Sequence, residues 1–559
     1  MSKLSTHLTA WALAVTFATA QASSPQHPSA SPAAVTTLHV ESRLVVVDVV
    51  VTGHHGEPVT GLTSSDFTLL EDGKPQTISF FESHVPPPKT PEKAPASPPP
   101  HRYSNINAHT PSSINVILFD VLNTPFIDQP YARQQMLQFL KTLPRGQQVA
   151  LFELGTQLRM IAGFDTTSEE LIAAAAKLVP HSSELLDTRQ ERAESDDRIA
   201  LLREGSPNQE FFDRMQQFIR EEDAGRDQDR ASLTAGELLQ LARAVSGFRG
   251  RKNIIWLSEE FPVYLGPSEN LSDARLEFRN YADLMHDTAG TLSSSQVSVY
   301  PIDVRGLITG LFADASSSAR KPGDSQIINI ESLHAAMDEL AKETGGRAYY
   351  NTNDLKLAMQ RSLENGSHYY TLAYVPANRN WDSKYRKIKV KLSRPGFEAE
   401  YRKGYFATPE TLPSQDEAIA ELLGAVQPAT PQSTALHLEA QVLPSDVDHA
   451  KVRVNWLIDP ANVLFSDAPG DRKNARLQLI TVAWDKDLKQ TLSHTNTVEL
   501  SLPPERYTEL MKNGLAFHQE LKLRPGVYHL CLGTLDVGSK KIGTLDIPLE
   551  IADVGKKKN

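Results

Sequence analysis

Cysteine is almost absent from this chain: Cys531 is the only one in 559 residues. One thiol cannot close an intramolecular disulfide or build a cysteine-based metal site, so stability has to come from core packing. An excess of basic charge is absent too. Lys and Arg number 57 against 68 Asp and Glu, a net charge of −11, which argues against nucleic-acid binding and against a basic membrane-surface role. No window after the N-terminal segment is apolar for long enough to span a bilayer. The spacings HExxH, GxSxG, GxGxxG and the P-loop are missing, and the 17 histidines are scattered without metal-ligand spacing. The expectation is a protein that is not an enzyme. A hydrolase whose residues assemble only in space would leave no such trace and stays as an alternative.

What is present begins with Lys3 and the apolar run LTAWALAVTFATA, followed by the small-x-small site Ala20-Gln21-Ala22. This reads as an export signal over residues 1–22, cleaved after Ala22, which leaves no transmembrane segment in the mature chain. The expected address is therefore periplasmic or secreted. Residues 23–37 are rich in Ser, Pro and Ala and read as disordered.

At 559 residues the chain needs more than one core, and two to four domains are expected. Residues 38–85 read as a β-rich segment: a valine-rich strand, then two alternating runs flanking Asp72-Gly73, a hairpin signal. Residues 86–112 hold PPPKTPEKAPASPPP, a proline-stiffened linker. From 113 to 365 buried apolar strands alternate with amphipathic helices, the pattern of a mostly parallel α/β sheet. A charged, helical insertion occupies 181–231 within it. Strands return over 366–407, a linker helix follows over 408–431, and 432–553 runs strand after strand in the manner of a β-sandwich. Residues 554–559 form a short basic tail. Neither 38–85 nor 366–407 has enough strands for a stable fold alone, so the two are expected to pair into one β-domain with the α/β domain inserted between them. Cys531, in the alternating stretch YHLCLGTL, is expected in a core.

Chemistry concentrates at strand ends. INVILFDVLNTPF delivers Asp120, Asn123 and Thr124 to the tip of an apolar strand. NIIWLSEEF ends in Ser258, Glu259 and Glu260. Ser232 or Thr234 stands at the start of the helix LTAGELLQLARAV. Ligands of open α/β sheets bind at the carboxyl edge, and carboxylate plus hydroxyl oxygens suit a hard divalent cation, Mg²⁺, Mn²⁺ or Ca²⁺. The same residues without a cation would simply cap a turn. The adjacent histidines His54 and His55 lie in a glycine-flanked turn and read as solvated.

In order, FTLLEDGKPQTISFF, INVILFDVLNT, FRGRKNIIWLSEEFP, VSVYPIDVRGL, LAKETGGRAYYNTNDL and HYYTLAYVP with RKGYFA resemble a bacterial secreted family related to the von Willebrand factor type A domain. The resemblance covers 38–407 and implies a doubly wound, mostly parallel, Rossmann-like type A domain with flanking β-sandwich domains. It also implies a metal-ion-dependent adhesion site. On that motif Asp120 matches the aspartate, Leu122 stands where the first serine belongs, and Thr124 keeps a hydroxyl at the second. Ser232 or Thr234 would be the second-loop ligand, and Glu259 stands near the third-loop aspartate, one methylene longer. The implied site is degenerate, holding one divalent cation or none. The implied function is protein binding of adhesion type, with an unidentified protein partner meeting Asn123, Ser258 and Glu260. Phe211, Met215 and Phe218, on one face of the inserted helix, form a second candidate surface. The alternative from another class is a metal-independent structural or assembly scaffold in the bacterial envelope.

Overall fold

The computed structural model describes residues 43–54, 56–85, 101–105, 113–144, 147–164, 166–186, 198–199, 201–204, 208–259, 284, 286–307, 324–409, 412–428, 430–444 and 451–551. The export signal, the segment 23–37, the linker outside 101–105, His55, Glu260 and the basic tail lie outside the described residues.

Alternating valines make β1 (Val45–Thr52), in which Val47 and Val49 are fully buried. Next comes β2 (Phe67–Glu71), which turns through Asp72 and Gly73 into β3 (Lys74–Gln76). Both turn residues have positive φ, +47° and +80°, which matches the right-handed twist of the flanking strands. β4 (Phe80–His84) and β5 (Arg102–Ser104) follow.

The α/β region runs β6 (Ser113–Asp120), α1 (Gln129–Leu140), β7 (Val149–Leu154), β8 (Leu158–Ala162), α2 (Ser168–Ala176), α3 (Gln209–Val245), β9 (Arg251–Ser258), β10 (Val297–Asp303), α4 (Asp324–Thr344) and α5 (Leu355–Ser367). Its sheet has the order β10-β9-β6-β7-β8. The first four of these are parallel and β8 is an antiparallel edge. Every residue of β9 and β10 is buried, because apolar side chains cover both faces, and that is why these strands lack polar alternation. α2 opens on a capping box between Thr167 and Glu170. One expectation needs correcting. The charged insertion and the following helix are not separate: α3 is a single helix of 37 residues, so its charged half continues the core-facing half.

Four strands return: β11 (Tyr369–Tyr374), β12 (Tyr385–Leu392), β13 (Glu398–Glu400) and β14 (Gly404–Phe406). They interleave with the first four in two sheets, β13-β1-β11-β4 and β14-β12-β2-β3, around one apolar core. Glu71 clamps this unit. Buried beside Arg386 at 3.5 Å, it accepts hydrogen bonds from the Tyr374 and Tyr405 hydroxyls at 2.6 and 2.8 Å.

α6 (Gln415–Ala425) was expected to be a linker helix, but it buries Ala418 and Leu422 against Ile480, Val482 and Trp484. Beyond it lie β15 (Leu438–Pro444), β16 (Lys451–Ile458), β17 (Ser466–Ala468), β18 (Arg472–Asp485), β19 (Gln490–Leu502), α7 (Pro504–Asn513), β20 (Leu515–Lys522), β21 (Gly526–Asp536) and β22 (Lys541–Ile551). Two sheets, β20-β16-β15-β5 and β17-β18-β21-β22 with β19 on β18, share one core. The proline-rich linker therefore ends earlier than expected: Arg102–Ser104 is an edge strand of this distant sheet. Cys531 is buried on β21, and burial pushes its thiol far up. Among the described residues no helix is long and apolar enough to cross a membrane.

Removing the Glu71 carboxylate strands the buried Arg386 guanidinium. Glu71→Ala should cost about 3–5 kcal/mol in urea unfolding. A loss below about 1 kcal/mol would show that the clamp contributes little.

Candidate functional site

The chain leaves β6 for β7 on one side, while β9 pairs with β6 on the other. The carboxyl ends of β6 and β9 thus meet at the point where the strand order reverses, which is where open α/β sheets present their ligands. Asp120 ends β6, and Ser258 ends β9. Trp256 and Ser258 lie two residues apart, so both project from the same face of β9, toward Asp120.

Asp120 is 1% exposed, and its two oxygens are heavily used. Oδ1 accepts from the Asn123 backbone N–H at 2.8 Å. Oδ2 accepts from Asn123 Nδ2 at 2.9 Å, Trp256 Nε1 at 2.9 Å and Ser258 Oγ at 2.8 Å. Three donors saturate Oδ2, and one reaches Oδ1. All four donors are neutral, so burial dominates and pushes the Asp120 carboxyl up to about 6, against the opposing hydrogen bonds from Asn123, Ser258 and Trp256.

The Asn123 amide does more than cap a turn. Its Nδ2 also donates to Thr234 Oγ1 at 3.0 Å, so one amino group bridges the two oxygens that a cation would have to bridge. Thr234 Oγ1 in turn donates to the Arg230 carbonyl at 2.8 Å. Thr124 Oγ1 accepts from the Glu259 backbone N–H at 3.3 Å. Asn123 Oδ1 is a buried acceptor without a hydrogen-bond partner among the described residues.

These positions correct several expectations. Ser232 is exposed on α3 and takes no part, whereas Thr234 is buried at the site. Both sit inside α3, not at a helix start. Residues two apart on a helix differ by about 200° in direction, so only one of the pair can face Asp120. Asn123 and Ser258 are fully buried and cannot offer a surface to a partner. Leu122 is packed in the core beside Leu118 and Leu154, so no ligand could replace it without unpacking that core. Phe211 and Phe218 are exposed and Met215 half-buried. They lie about 24–35 Å along α3 from Thr234 at 1.5 Å per residue, so the site and this stripe are separate. Phe212, not singled out in the sequence, is the buried anchor there.

A direct cation site fits these residues poorly. Oδ2 of the anchoring carboxylate is taken by three protein donors, the first hydroxyl is a core leucine, and an amide NH₂ stands between Asp120 and Thr234. Hard cations need about six oxygens or waters around them.

Two residues at the ends of these strands were not singled out in the sequence. Trp256 reads as one more apolar residue of NIIWL, and nothing local shows that its N–H meets Asp120. The second is Asp303, which ends β10 fully buried. The Arg305 side chain chelates it, Nε to Oδ1 at 2.9 Å and NH2 to Oδ2 at 2.7 Å. His334 Nε2 lies 3.2 Å from Oδ2. Burial opposes ionisation of Asp303, but His334 and Arg305 outweigh it and hold the carboxyl below its ordinary value. The signal was the same as for Asp120, an acid closing the apolar strand VSVYPID.

No family model matches the chain, and no curated protein matches it. Solved structures do align. Proximal thread matrix protein 1 from mussel byssus is 12% identical over 45% of this chain and 47% of its own, with a TM-score of 0.23; it has also been solved with a zinc-occupied MIDAS motif. The alignment thus spans about half of the mussel protein's length. An aerotolerance-related membrane protein from Bacteroides fragilis is 14% identical over 45% of this chain and 98% of its own, TM-score 0.23. A von Willebrand factor type A protein from Catenulispora acidiphila is 9% identical over 88% and 74%, TM-score 0.23. Likeness at this level assigns no activity. The α/β architecture rests on this chain's own strand order and register.

The Asp120 environment fixes the sign of a pH effect. Its folded value, about 6, lies above the ordinary 3.8, so its contribution to stability is complete below about 4 and is lost as pH rises through about 6. Relative to Asp120→Asn, the wild type should lose up to about 3 kcal/mol between pH 4 and 7, measured by urea unfolding at each pH. A slope of opposite sign would mean that a positive charge sits beside Asp120.

Proposed function

We propose that this chain is an exported protein-binding protein rather than an enzyme. In this reading its type A-like α/β domain recognises another protein at the carboxyl edge of the five-stranded sheet, with no bridging cation at Asp120. The observation that supports it is the contrast at the end of β6. Asp120 is sealed by four protein donors, and a few residues on, Phe126 and Ile127 stand 53% and 79% exposed. A cation-dependent surface needs the opposite arrangement, with open oxygens at the rim. Large apolar side chains exposed in the turn beyond a strand's carboxyl end are the kind of anchor that contributes most of an interface's binding energy. The two β-domains would position that edge or add contacts. Export rests on the N-terminal run and its cleavage site, and places the partner in the periplasm or outside the cell.

The same sealed carboxylate also suits the second reading, a metal-independent scaffold for assembly in the envelope. The readings differ in what the edge touches. Affinity capture from envelope extract should be run with the wild-type chain, with Phe126→Ser/Ile127→Asp, and with Val527→Asp as a control at an exposed position of the C-terminal domain. The expected result is one partner, recovered equally with and without chelator, lost at least about tenfold with the edge variant and retained by the control. Partner loss on chelation would contradict the cation-free reading. Capture that survives the edge variant but not the control would favour the scaffold.

A further inference from the structure

A separate polar cluster lies where the α/β domain meets the first β-domain. Glu339 and Glu343 are four residues apart on α4 and so share one face of that helix. His286, on a helical segment that ends at 294, lies against them, its Nδ1 2.7 Å from Glu343 Oε1. One donor atom from each residue lies within 4.8 Å of the other two. The three line an open cavity of about 660 Å³ together with Tyr385 and Phe406 of the β-domain, and the Phe406 ring lies 6.1 Å from that of His286. Two carboxylates on one helix face repel, and a positive charge between them relieves that repulsion. Lys342 lies on the same helix, but its ammonium pairs with Asp338 at 3.2 Å.

We propose that His286, Glu339 and Glu343 form a site for one divalent transition-metal ion, Zn²⁺ by preference, with its remaining coordination position open to the cavity. The donor chemistry selects the ion. An imidazole beside two carboxylates suits Zn²⁺ and its first-row neighbours and disfavours Mg²⁺ and Ca²⁺, which take oxygen alone. The geometry is close to closed. A tetrahedral ion with ligands at about 2.0–2.1 Å spaces its donors about 3.3 Å apart, so binding would open the 2.7 Å pair of His286 and Glu343 slightly and draw in Glu339, whose side chain is exposed. Three protein ligands leave a fourth position for water or a small anion, and the cavity provides the room. The site is independent of Asp120 and of the protein-binding reading.

The probe is Co²⁺, titrated into untagged full-length protein and followed by its visible absorption, with Zn²⁺ as competitor. One equivalent of Co²⁺ is expected to give ligand-field bands that Zn²⁺ abolishes. His286→Ala and Glu339→Gln should each weaken Co²⁺ binding at least about tenfold, while Asp120→Asn leaves it unchanged. Glu339 is exposed, so Glu339→Gln keeps the fold, and thermal melting of each variant checks this. Absence of Co²⁺ and Zn²⁺ binding to the wild type overturns the proposal. So does binding that survives both cluster variants or is lost with Asp120→Asn.

Discussion

One amide group organises the edge of the central sheet. Asn123 Nδ2 spans Asp120 Oδ2 and Thr234 Oγ1, and so ties the tip of β6 to the middle of α3 across 111 residues of chain. Asp120 in turn collects donors from β9 through Trp256 and Ser258. Three elements that are distant in sequence are therefore joined through one buried carboxylate. A buried ion is tolerable only when its hydrogen-bonding capacity is met, and here neutral groups of the protein meet it. Much of the cost of burial remains, which is why the carboxyl titrates near 6 and not near 4.

The same logic, polar groups used as internal fasteners, recurs where the α/β domain joins its neighbours. Arg251, on β9, is fully buried and donates to Gly345 O, Tyr300 Oη and Asn253 Oδ1, while its backbone N–H meets Tyr369 Oη of the β-domain. On the other side Thr434 Oγ1 donates to the Ala244 carbonyl and accepts from the Gly247 N–H, tying the end of α3 to the approach to the C-terminal domain. Glu71 and Arg386 do the corresponding work inside the β-domain. These partners lie 118, 190 and 315 residues apart in sequence, so this arrangement needs the late segments before the early ones can be satisfied.

Much of the architecture could be read from local pattern: the apolar strand ending in Asp120, the Asp72-Gly73 turn, the capping box at Thr167, the strand-after-strand rhythm near the C-terminus. What could not be read depends on long-range register. Trp256 is indistinguishable from a core residue until β9 is laid beside β6. Arg102–Ser104 follows a run of prolines, and only pairing with β15 makes it a strand. The length of α3 was hidden because its first half is so charged that it reads as a separate insertion. The choice between Ser232 and Thr234 needed the helix phase. Leu122 was legible as a residue unable to bind a cation. The structure adds the reason it cannot be otherwise, since it belongs to the core.

Calorimetric titration of Mg²⁺ and of Ca²⁺ into the wild-type chain and into Asp120→Asn tests most directly whether the protein's own donors have taken the place of an ion at Asp120. Binding heats that are the same for the two proteins, with no thermal shift on adding either ion, are the predicted result. One equivalent of either cation bound by the wild type and lost in Asp120→Asn would contradict it.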